Sequence, residues 1–385
     1  MPSGPGWQER FEPMYVVLSR ALKNVGDFLI VERGRRLLSH LKPDHEQHVL
    51  KAWLPLDGHL DLVNRASAVV ICGGPGLGQH AYPRVYPLAR PLERIEVPLV
   101  MLGSGWWSIP GLPSQIRRPR FSRRTRRFFR WVLRRGAISV RDCVSEHVMR
   151  TAGFAEVTMT GCPAWYDLAS LGQPFEAPRA LRRVVLTTPN SRAYADQCLG
   201  LMAALREWLP DAELVCSLHR GLREDEFTGA SEAARARKTA ARAEALGYRV
   251  VNAAYDVSKI AFYRECDLHV GYRVHAHLEF MSRRRPSILL SEDTRGRGAC
   301  EALGLPVFQA WRPTPASQLA CRLPGRAATF AATRVLRTSP TVVAEVIEYL
   351  RREAGAGFPS MAGAGDVIDR TYETAMGPFV RAIPD

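Results

Sequence analysis

Short, largely apolar runs recur along the first half of the chain and are separated by longer polar stretches. Each run ends in small or charged residues, which is typical of strands that are buried in a parallel sheet. After the first run, apolar residues take helical spacing at Ile30, Leu37, Leu38 and Leu41. The pattern predicts an α/β unit whose strands lie at residues 14–18, 68–72, 99–102, 137–140 and 157–160.

The same pattern restarts after a stretch rich in Gly, Pro and Arg at residues 168–183, which suits a linker. Further strands are predicted at residues 184–188, 213–217, 249–252, 268–270 and 287–290. Helices are predicted near residues 194–208, 231–246, 257–265 and 275–284. Two successive α/β units of similar size predict two Rossmann-like domains that face each other across a cleft.

The first domain is expected to span residues 1–175, with a loose, polar lead-in at residues 1–13. The second is expected at residues 176–340. Residues 341–385 are expected to form a final helix, near residues 341–352, and a tail that packs back on the first domain.

Composition fits a soluble globular protein, with 46% hydrophobic and 24% charged residues among 385. The eight cysteines are scattered and form no C-x-x-C pair, which argues against a zinc knuckle or a disulfide framework. We see no signal peptide and no apolar run long enough to span a bilayer. A cytoplasmic protein is therefore expected.

Charge changes this picture, because the net charge is +15 and only five of the 53 basic residues are Lys. Such a protein attracts anionic partners. Residues 117–135 hold ten arginines, and Phe121, Phe128, Phe129 and Val132 fall on one face of a predicted amphipathic helix. This helix is either a solvated surface or a contact with an anionic membrane or a phosphorylated acceptor. No nucleic-acid module surrounds it, which argues against nucleic acid as the partner.

The chemistry-bearing residues cluster where strands end. Residues 267–280 form a strand that turns at Gly271 into a helix and carries Arg273 and His275. Free N–H groups at a helix start, with a guanidinium and an imidazole, favour binding of an anion. The alternative is that Arg273 pairs with a nearby acid and His275 only caps the helix.

Asn24 and Asp27 follow the first strand, and Asp27 occupies a position suited to a helix N-cap. Gly73 and Gly74 end the second strand and form either a tight turn or part of a ligand crevice. None of the glycine pairs has the full G-x-G-x-x-G spacing of a dinucleotide site.

Taken in order, these motifs resemble the polysaccharide pyruvyl transferase family. The segment Asn24-x-Gly26-Asp27-x-Leu29-Ile30 resembles the family's opening motif, and Gly271-Tyr272-Arg273-Val274-His275-Ala276 resembles its G-x-R-x-H-A signature. Three further segments resemble other motifs of the family: Gly73-Gly74, Ser139-Val140-Arg141-Asp142 and Asp293-Thr294-Arg295. Cys162 departs from the family, which has Asp there, and Arg295 stands where Lys is usual.

The resemblance implies a GT-B-like fold that transfers a pyruvyl unit from phosphoenolpyruvate to a sugar of a polysaccharide or its precursor, leaving a pyruvate ketal. It implies no metal and no cofactor beyond phosphoenolpyruvate as donor. The expected acceptor is a glycan or a lipid-linked sugar, and the expected location is cytoplasmic, with contact at the inner membrane face.

The roles expected from the resemblance and the chemistry together start with His275 as acid or phosphate ligand and Asp27 as base for the sugar hydroxyl. The residues expected to bind substrate are Arg273, Arg295, Asn24, Gly73, Gly74, Arg141 and His219. His277 is expected to be structural.

Two rivals stay open on the sequence alone. A nucleotide-sugar glycosyltransferase of the same fold would use the same cations for a diphosphate. A non-enzymatic anion-binding protein would use the arginine run.

Overall fold

Two parallel sheets form the frame of the molecule. The computed structural model describes residues 13–109, 111–320, 323, 331 and 334–385. The predicted lead-in therefore lies outside the described residues except for Pro13. The described helices and strands match the predicted alternation of strand and helix in both halves of the chain.

The first sheet has six parallel strands in the order β2-β1-β3-β4-β5-β6. In chain order they are β1 (Met14–Ser19), β2 (Glu46–Lys51), β3 (Ala68–Cys72), β4 (Leu99–Ser104), β5 (Ala137–Val140) and β6 (Thr158–Met159). The chain leaves β1 to one side for β2 and returns to its other side for β3. A ligand crevice is expected at such a reversal, beyond the carboxyl end of the strand.

The second sheet repeats this design, with six parallel strands in the order β12-β11-β10-β7-β8-β9. They are β7 (Arg183–Thr187), β8 (Glu213–Leu218), β9 (Arg249–Asn252), β10 (Leu268–Gly271), β11 (Ser287–Ser291) and β12 (Phe308–Gln309). In this sheet the strand order reverses between β7 and β10. A separate antiparallel pair is formed by β13 (Trp311–Arg312) and β14 (Arg337–Thr338).

Helices cover both sheets. Those of the first half are α1 (Val25–Leu41), α2 (Leu60–Arg65), α3 (Pro113–Arg117), α4 (Arg123–Arg135) and α5 (Cys143–Thr151). Those of the second are α6 (Ala195–Trp208), α7 (Ala230–Ala245), α8 (Val274–Ser282), α9 (Thr294–Ala302) and α10 (Pro315–Ala320). The chain closes with α11 (Val342–Gly355), α12 (Pro359–Thr371) and α13 (Gly377–Arg381).

Most of the strands that the apolar runs predict lie inside the sheets and are buried on both faces, which explains why they are clear in the sequence; the edge strands β6 and β9 are more exposed. Every residue of β3 and β4 is buried. By contrast β2, with the sequence EQHVLK, lies at the sheet edge and is only half-buried. It has no apolar run, and the sequence pattern misses it.

The predicted basic helix is shorter than expected. Helix α3 ends at Arg117 and α4 begins at Arg123, so one continuous helix over residues 117–135 is wrong. Pro119 lacks the N–H that a helix interior needs, and Ser122 caps α4 by accepting from the N–H of Thr125. Phe121 precedes the helix but still packs edge-on against Phe129, with ring centroids 5.3 Å apart.

A buried group of four charges joins the two halves. Arg33 of α1 contacts Asp167 at 2.7 Å and Glu279 of α8 at 2.8 Å, and Arg283 contacts the same two carboxylates. Such groups are held in place because removing one partner leaves a buried charge uncompensated.

The end of the chain lies against the first half, with α13 contacting α1, whereas α11 contacts α6 of the second half. The hydroxyl of Tyr15 donates to the carbonyl of Pro384 at 2.9 Å, and Lys42 contacts Asp385 at 2.5 Å. Most of this segment is helical, in α12 and α13, where the sequence predicts only a tail.

None of the helices in the described residues is both long and apolar enough to cross a membrane. The seven cysteines that the structure describes are all free.

Candidate active site

The amino ends of α1 and α8 approach each other across the cleft. The N–H of Val25 donates to the carbonyl of His219 at 3.2 Å. A Cβ atom added to Gly26 would lie 2.2 Å from Nδ1 of His275, so only glycine fits there. The close approach places His275 of the second sheet beside the Asn24–Asp27 motif of the first.

His275 is buried, with 7% of its surface exposed. The N-cap of α8 is Arg273, so the alternative that His275 caps the helix is wrong. Its Nε2 atom is buried and has no hydrogen-bond partner among the described residues. Burial lowers the pKa of His275 well below its usual range, and Arg141, Arg295 and Arg273 lower it further. The imidazole is therefore neutral until an anion offsets these charges.

Arg273 lies at the carboxyl end of β10, with weakly satisfied donors. Its Nη1 lies 3.5 Å from Oδ1 of Asn190 and its Nη2 donates to the carbonyl of Pro189 at 3.3 Å, while Nε is buried without a partner. Burial lowers the pKa of Arg273 to about 10, so it remains charged at neutral pH. A guanidinium held this way has donors available for a carboxylate or phosphate.

Arg295 is fixed by a two-pronged contact with Asp293, the N-cap of α9. Its Nε and Nη2 donate to the carboxylate at 3.0 Å and 2.6 Å. Asp293 also accepts from Nε1 of Trp107 at 3.0 Å. The family that the motifs resemble usually has a lysine at this position. A lysine could not form this two-pronged contact with Asp293.

Arg141 follows β5 and enters the site from the first sheet. Its side chain is 4% exposed, and a Cβ added to Gly105 would lie 2.0 Å from its Nε. Nε lies 3.3 Å from Asp142, whereas Nη2 is buried and has no partner among the described residues. An unpaired buried donor of this kind is costly unless a ligand accepts from it.

Asp27 lies in the first turn of α1 and does not cap it, because the N-cap is Asn24. The prediction that Asp27 is the N-cap is therefore wrong. Burial raises the pKa of Asp27, although Asn24, Arg295, Arg20 and Arg220 all act in the opposite direction. A carboxylate with a raised pKa is a stronger base than an exposed one.

Gly73 and Gly74 form the turn after β3, with φ values of 59° and 79°. A Cβ added to Gly73 would lie 2.2 Å from Cγ2 of Ile30, and the carbonyl of Gly74 accepts from the N–H of Gly105 at 2.9 Å. These glycines allow the turn after β3 to pack closely against α1 and the segment that follows β4.

Two further histidines are buried near these residues. Nε2 of His219 lies 2.8 Å from the hydroxyl of Tyr263, and its Nδ1 is buried without a partner among the described residues. Burial lowers the pKa of His219 well below its usual range, Arg273 and His275 lower it further, and the backbone carbonyl of His219 accepts from Val25. His277 has Nδ1 2.7 Å from Oγ of Ser287 and lies on another side of α8.

Three residues that the sequence analysis does not name also belong to this region. Arg20 and Arg220 both act on the pKa of Asp27, and Glu292 acts on that of Arg273. Arg20 directly follows β1, Glu292 directly follows β11, and Arg220 lies two residues beyond β8. All three residues follow strand ends, and this position in the sequence could have indicated that they belong to the site.

Glu292 accepts hydrogen bonds from backbone N–H groups of the segment that follows β7. The N–H of Asn190 lies 2.9 Å from Oε1 and that of Ser191 lies 3.1 Å from it. Burial raises the pKa of Glu292 to about 7, and Asp293 adds to this, while Arg273 and the two N–H groups oppose it.

Glu292→Gln is expected to change how stability depends on pH. The carboxyl has a pKa of about 7 in the folded protein against 4.5 in a free chain, so its contribution is complete below pH 4.5 and is lost as the pH rises towards 7. Wild type should therefore lose stability relative to the variant over this range, by at most about 3 kcal/mol.

Guanidinium denaturation of both proteins at about pH 5 and about pH 8 measures this difference. Exposed Glu224→Gln is the control and should show no such trend. A difference between wild type and Glu292→Gln that stays the same at both pH values would contradict the expectation.

The site as a whole is a cationic cleft. Arg141, Arg273 and Arg295 surround a neutral imidazole, with Asp27 facing them from the first sheet. Among the described residues no group of three His, Cys, Asp or Glu could hold a metal ion. The arrangement can bind an anion and move a proton.

Comparisons with known proteins agree with the fold. A putative UDP-N-acetylglucosamine 2-epimerase from Listeria monocytogenes superposes with a TM-score of 0.51 and 12% identity, over 93% of this chain and 94% of that one. MnaA of S. aureus, solved with UDP, gives a TM-score of 0.53 and 10% identity, over 94% of each chain. No curated protein sequence matches.

The two facing α/β sheets define a GT-B-like fold. A family model described as polysaccharide pyruvyl transferase matches residues 24–294, from the Asn24 motif to the start of α9. The chain belongs to the polysaccharide pyruvyl transferase family.

Proposed function

We propose that the protein transfers the pyruvyl group of phosphoenolpyruvate to two hydroxyls of one sugar in a polysaccharide or its precursor. The observation that supports this most directly is the convergence of Arg141, Arg273 and Arg295 on the buried, neutral His275. Phosphoenolpyruvate carries a carboxylate and a phosphate, and both need cationic partners.

In the proposed reaction the methylene carbon of phosphoenolpyruvate gains a proton while one sugar hydroxyl attacks C2. The C2–O bond to phosphate then breaks, and the second hydroxyl attacks C2 to close the ketal. The two sugar hydroxyls release two protons. One compensates for the proton that the methylene carbon gains on becoming a methyl group, and the other leaves with phosphate. No oxidant or reductant is needed.

Each residue has a proposed part in these steps. The arginines hold the two anionic groups and offset the charge of the departing phosphate. Once the donor is bound its negative charges raise the pKa of His275, which then gives a proton or a hydrogen bond. Asp27 accepts the proton of the attacking hydroxyl, and Asn24 orients Asp27.

The test is to incubate the protein with phosphoenolpyruvate and candidate acceptors. Release of inorganic phosphate that depends on acceptor, with a product whose mass has increased by a pyruvate ketal, is the expected result. Release of a nucleoside diphosphate from a nucleotide sugar, without phosphate from phosphoenolpyruvate, would instead establish the glycosyltransferase alternative.

We also propose that α4 brings the protein to an anionic lipid surface. Its apolar side, with Phe128, Phe129 and Val132, is buried against the first sheet. On its outer side Arg123, Arg124, Arg130 and Arg134 are exposed and form no ion pair in the described part of the chain. Cations gathered in this way favour a negatively charged surface.

Replacing those four arginines by Gln is expected to weaken binding to phosphatidylglycerol vesicles. At roughly 1 kcal/mol for each arginine near the surface, the loss is on the order of several hundred-fold. It should shrink at high salt, because salt screens exposed charges. Co-sedimentation at low and high salt measures both effects.

The kcat on a soluble acceptor should stay unchanged in this variant, since α4 lies outside the cleft. Vesicle binding equal to that of wild type, or a loss of kcat without a loss of binding, would overturn the proposal for α4.

A further inference from the structure

An exposed tryptophan lies where the segment after β4 crosses from the first half of the chain to the second. Trp107 stands three residues beyond the end of β4 and has 43% of its surface exposed, whereas its neighbour Trp106 is buried. Single exposed apolar side chains are common on protein surfaces. Trp107 differs from them because both its backbone and its ring are held in place beside the cleft.

The backbone is fixed on both sides of Trp107. Before it, the N–H of Trp106 donates to Oγ of Ser145 at 2.8 Å, within the first half of the chain. After it, the N–H of Ser108 donates to Oγ1 of Thr294 at 2.9 Å, and the N–H of Thr294 donates to the carbonyl of Ser108 at 3.3 Å. Trp107 is therefore held between α5 and the start of α9.

The indole ring is oriented by its polar edge. Its Nε1 donates to Oδ2 of the buried Asp293 at 3.0 Å, and the guanidinium carbon of Arg295 lies 6.0 Å from the ring centre. The N–H of the ring is thus already used, while much of its apolar surface faces solvent. A ring fixed in this way loses little conformational freedom when a ligand packs on it.

The residues with proposed roles in the reaction lie close by. Arg295, which contacts Trp107, lowers the pKa of both Asp27 and His275. The indole is therefore separated from the reacting groups by one side chain. A ligand that packs on Trp107 needs no charge of its own, because the ring offers an apolar surface beside the cations.

A pyranose ring has the matching chemistry. Its C–H groups form an apolar face that packs on an aromatic ring, and its hydroxyls project from the rim towards water and polar side chains. Sugars whose C–H groups gather on one face, such as β-galactose and β-glucose, fit best. Phosphoenolpyruvate is small and charged and has no comparable face.

We infer that Trp107 stacks against a pyranose ring of the acceptor glycan and positions the acceptor in the cleft. This inference rests on the proposed function and adds a residue that selects the acceptor. The first half of the chain would then supply the acceptor contact, while arginines of the cleft hold the donor. Trp107 only binds, and no bond forms or breaks on it.

Two variants separate the ring from its N–H group. Trp107→Phe keeps an aromatic ring but cannot donate to Asp293, whereas Trp107→Gln keeps an N–H donor and loses the ring. Calorimetric titrations without phosphoenolpyruvate use cellotetraose and β-1,4-galactotetraose as probes. Trp107→Gln should weaken binding of the preferred tetrasaccharide by about 10- to 100-fold, as for other flat ligands that stack on aromatic rings, and Trp107→Phe should bind nearly as wild type does.

The matched control is Trp53→Gln. Trp53 is also partly exposed but follows the edge strand β2, and its replacement should leave binding unchanged. An equal loss in Trp107→Phe and Trp107→Gln would show that only the contact with Asp293 matters and would overturn the inference. So would wild-type protein that binds neither tetrasaccharide more tightly than Trp107→Gln does.

Steady-state kinetics separate the acceptor from the donor. With an acceptor that releases phosphate from phosphoenolpyruvate, Trp107→Gln should raise the KM for that acceptor by the same factor and leave the KM for phosphoenolpyruvate unchanged. A raised KM for phosphoenolpyruvate with an unchanged KM for the acceptor would mean that Trp107 acts on the donor through Arg295, and the inference would fail.

The two proposals fail in different ways. If a tetrasaccharide binds as expected but no acceptor releases phosphate from phosphoenolpyruvate, the proposed function fails while Trp107 stands as a sugar-binding residue. If phosphate is released and Trp107→Gln keeps the wild-type KM for the acceptor, the proposed function stands and the inference about Trp107 is wrong.

Discussion

His275→Ala is expected to lower kcat with phosphoenolpyruvate by about 10²- to 10⁴-fold, the usual contribution of a positioned acid. The reason is the place of the ring, buried among Arg141, Arg273 and Arg295 with Nε2 unpaired. The stability cost should be small, about 1–2 kcal/mol, because the ring forms no hydrogen bond with the residues that the structure describes. Steady-state kinetics and a thermal unfolding curve measure the two effects.

His275→Gln separates the two roles of the ring. Gln keeps a hydrogen-bond donor but cannot give up a proton at neutral pH. Retained activity would mean that His275 binds phosphate, and loss in both variants would mean that it transfers a proton. His277→Ala, two residues along α8, is the control and should be mild.

Proton uptake offers an independent measurement. The pKa of His275 lies well below its usual range in the free protein, so a proton-transfer role requires the ring to gain a proton when the donor binds. Calorimetry in buffers of different ionisation enthalpy should show uptake in wild type and none in His275→Ala. Full phosphoenolpyruvate-dependent activity in His275→Ala would show that His275 takes no part in the reaction.

Gly26→Ala is expected to reduce activity about as much as the loss of His275 does. Its Cβ would lie 2.2 Å from Nδ1 of His275, far inside van der Waals contact, so the imidazole or the two helices must move. Overpacking of this kind usually costs about 1–3 kcal/mol. Activity assays and denaturant unfolding of the single variant measure both losses.

The double variant Gly26→Ala with His275→Ala gives the sharper result. Removing the ring takes away the closest contact, but Cβ of residue 275 would still lie 2.7 Å from the added methyl group. Stability should therefore return only in part towards that of His275→Ala, while activity stays lost. Gly200→Ala is the control, because nothing lies within 4 Å of a Cβ added there. If Gly26→Ala kept wild-type activity, the close approach of α1 and α8 would have no part in catalysis.

Most of the fold is readable from the sequence because buried parallel strands are apolar on both faces. Strands β3 and β4 are examples. The sequence pattern misses β2 because an edge strand can be polar. It misses α12, PSMAGAGDVIDRT, because small residues weaken the apolar signal, although Met361, Ala364 and Ile368 have helical spacing.

The site was readable only in part. The order of motifs points to His275, Arg273 and Arg295, and the structure brings these together with Arg141 and Asp27. The sequence could not predict contacts across the cleft, because Gly26 and His275 are far apart in sequence and no local pattern encodes their approach. His219 also follows a strand end, and its Nε2 bonds to Tyr263 while its Nδ1 is buried without a partner among the described residues. Its part in substrate binding stays a prediction.

The four buried charges between α1 and α8 have a consequence for recombining this protein with relatives. Arg33 belongs to the first sheet's half, Glu279 and Arg283 to the second, and each depends on a partner from the other. A chimera that exchanges one half for that of another family member keeps the pairs within each half, Arg33 with Asp167 and Glu279 with Arg283, but loses the two contacts that join the halves and leaves these buried charges with fewer partners. Successful exchange should therefore require Arg33, Asp167, Glu279 and Arg283 to be transferred as one unit.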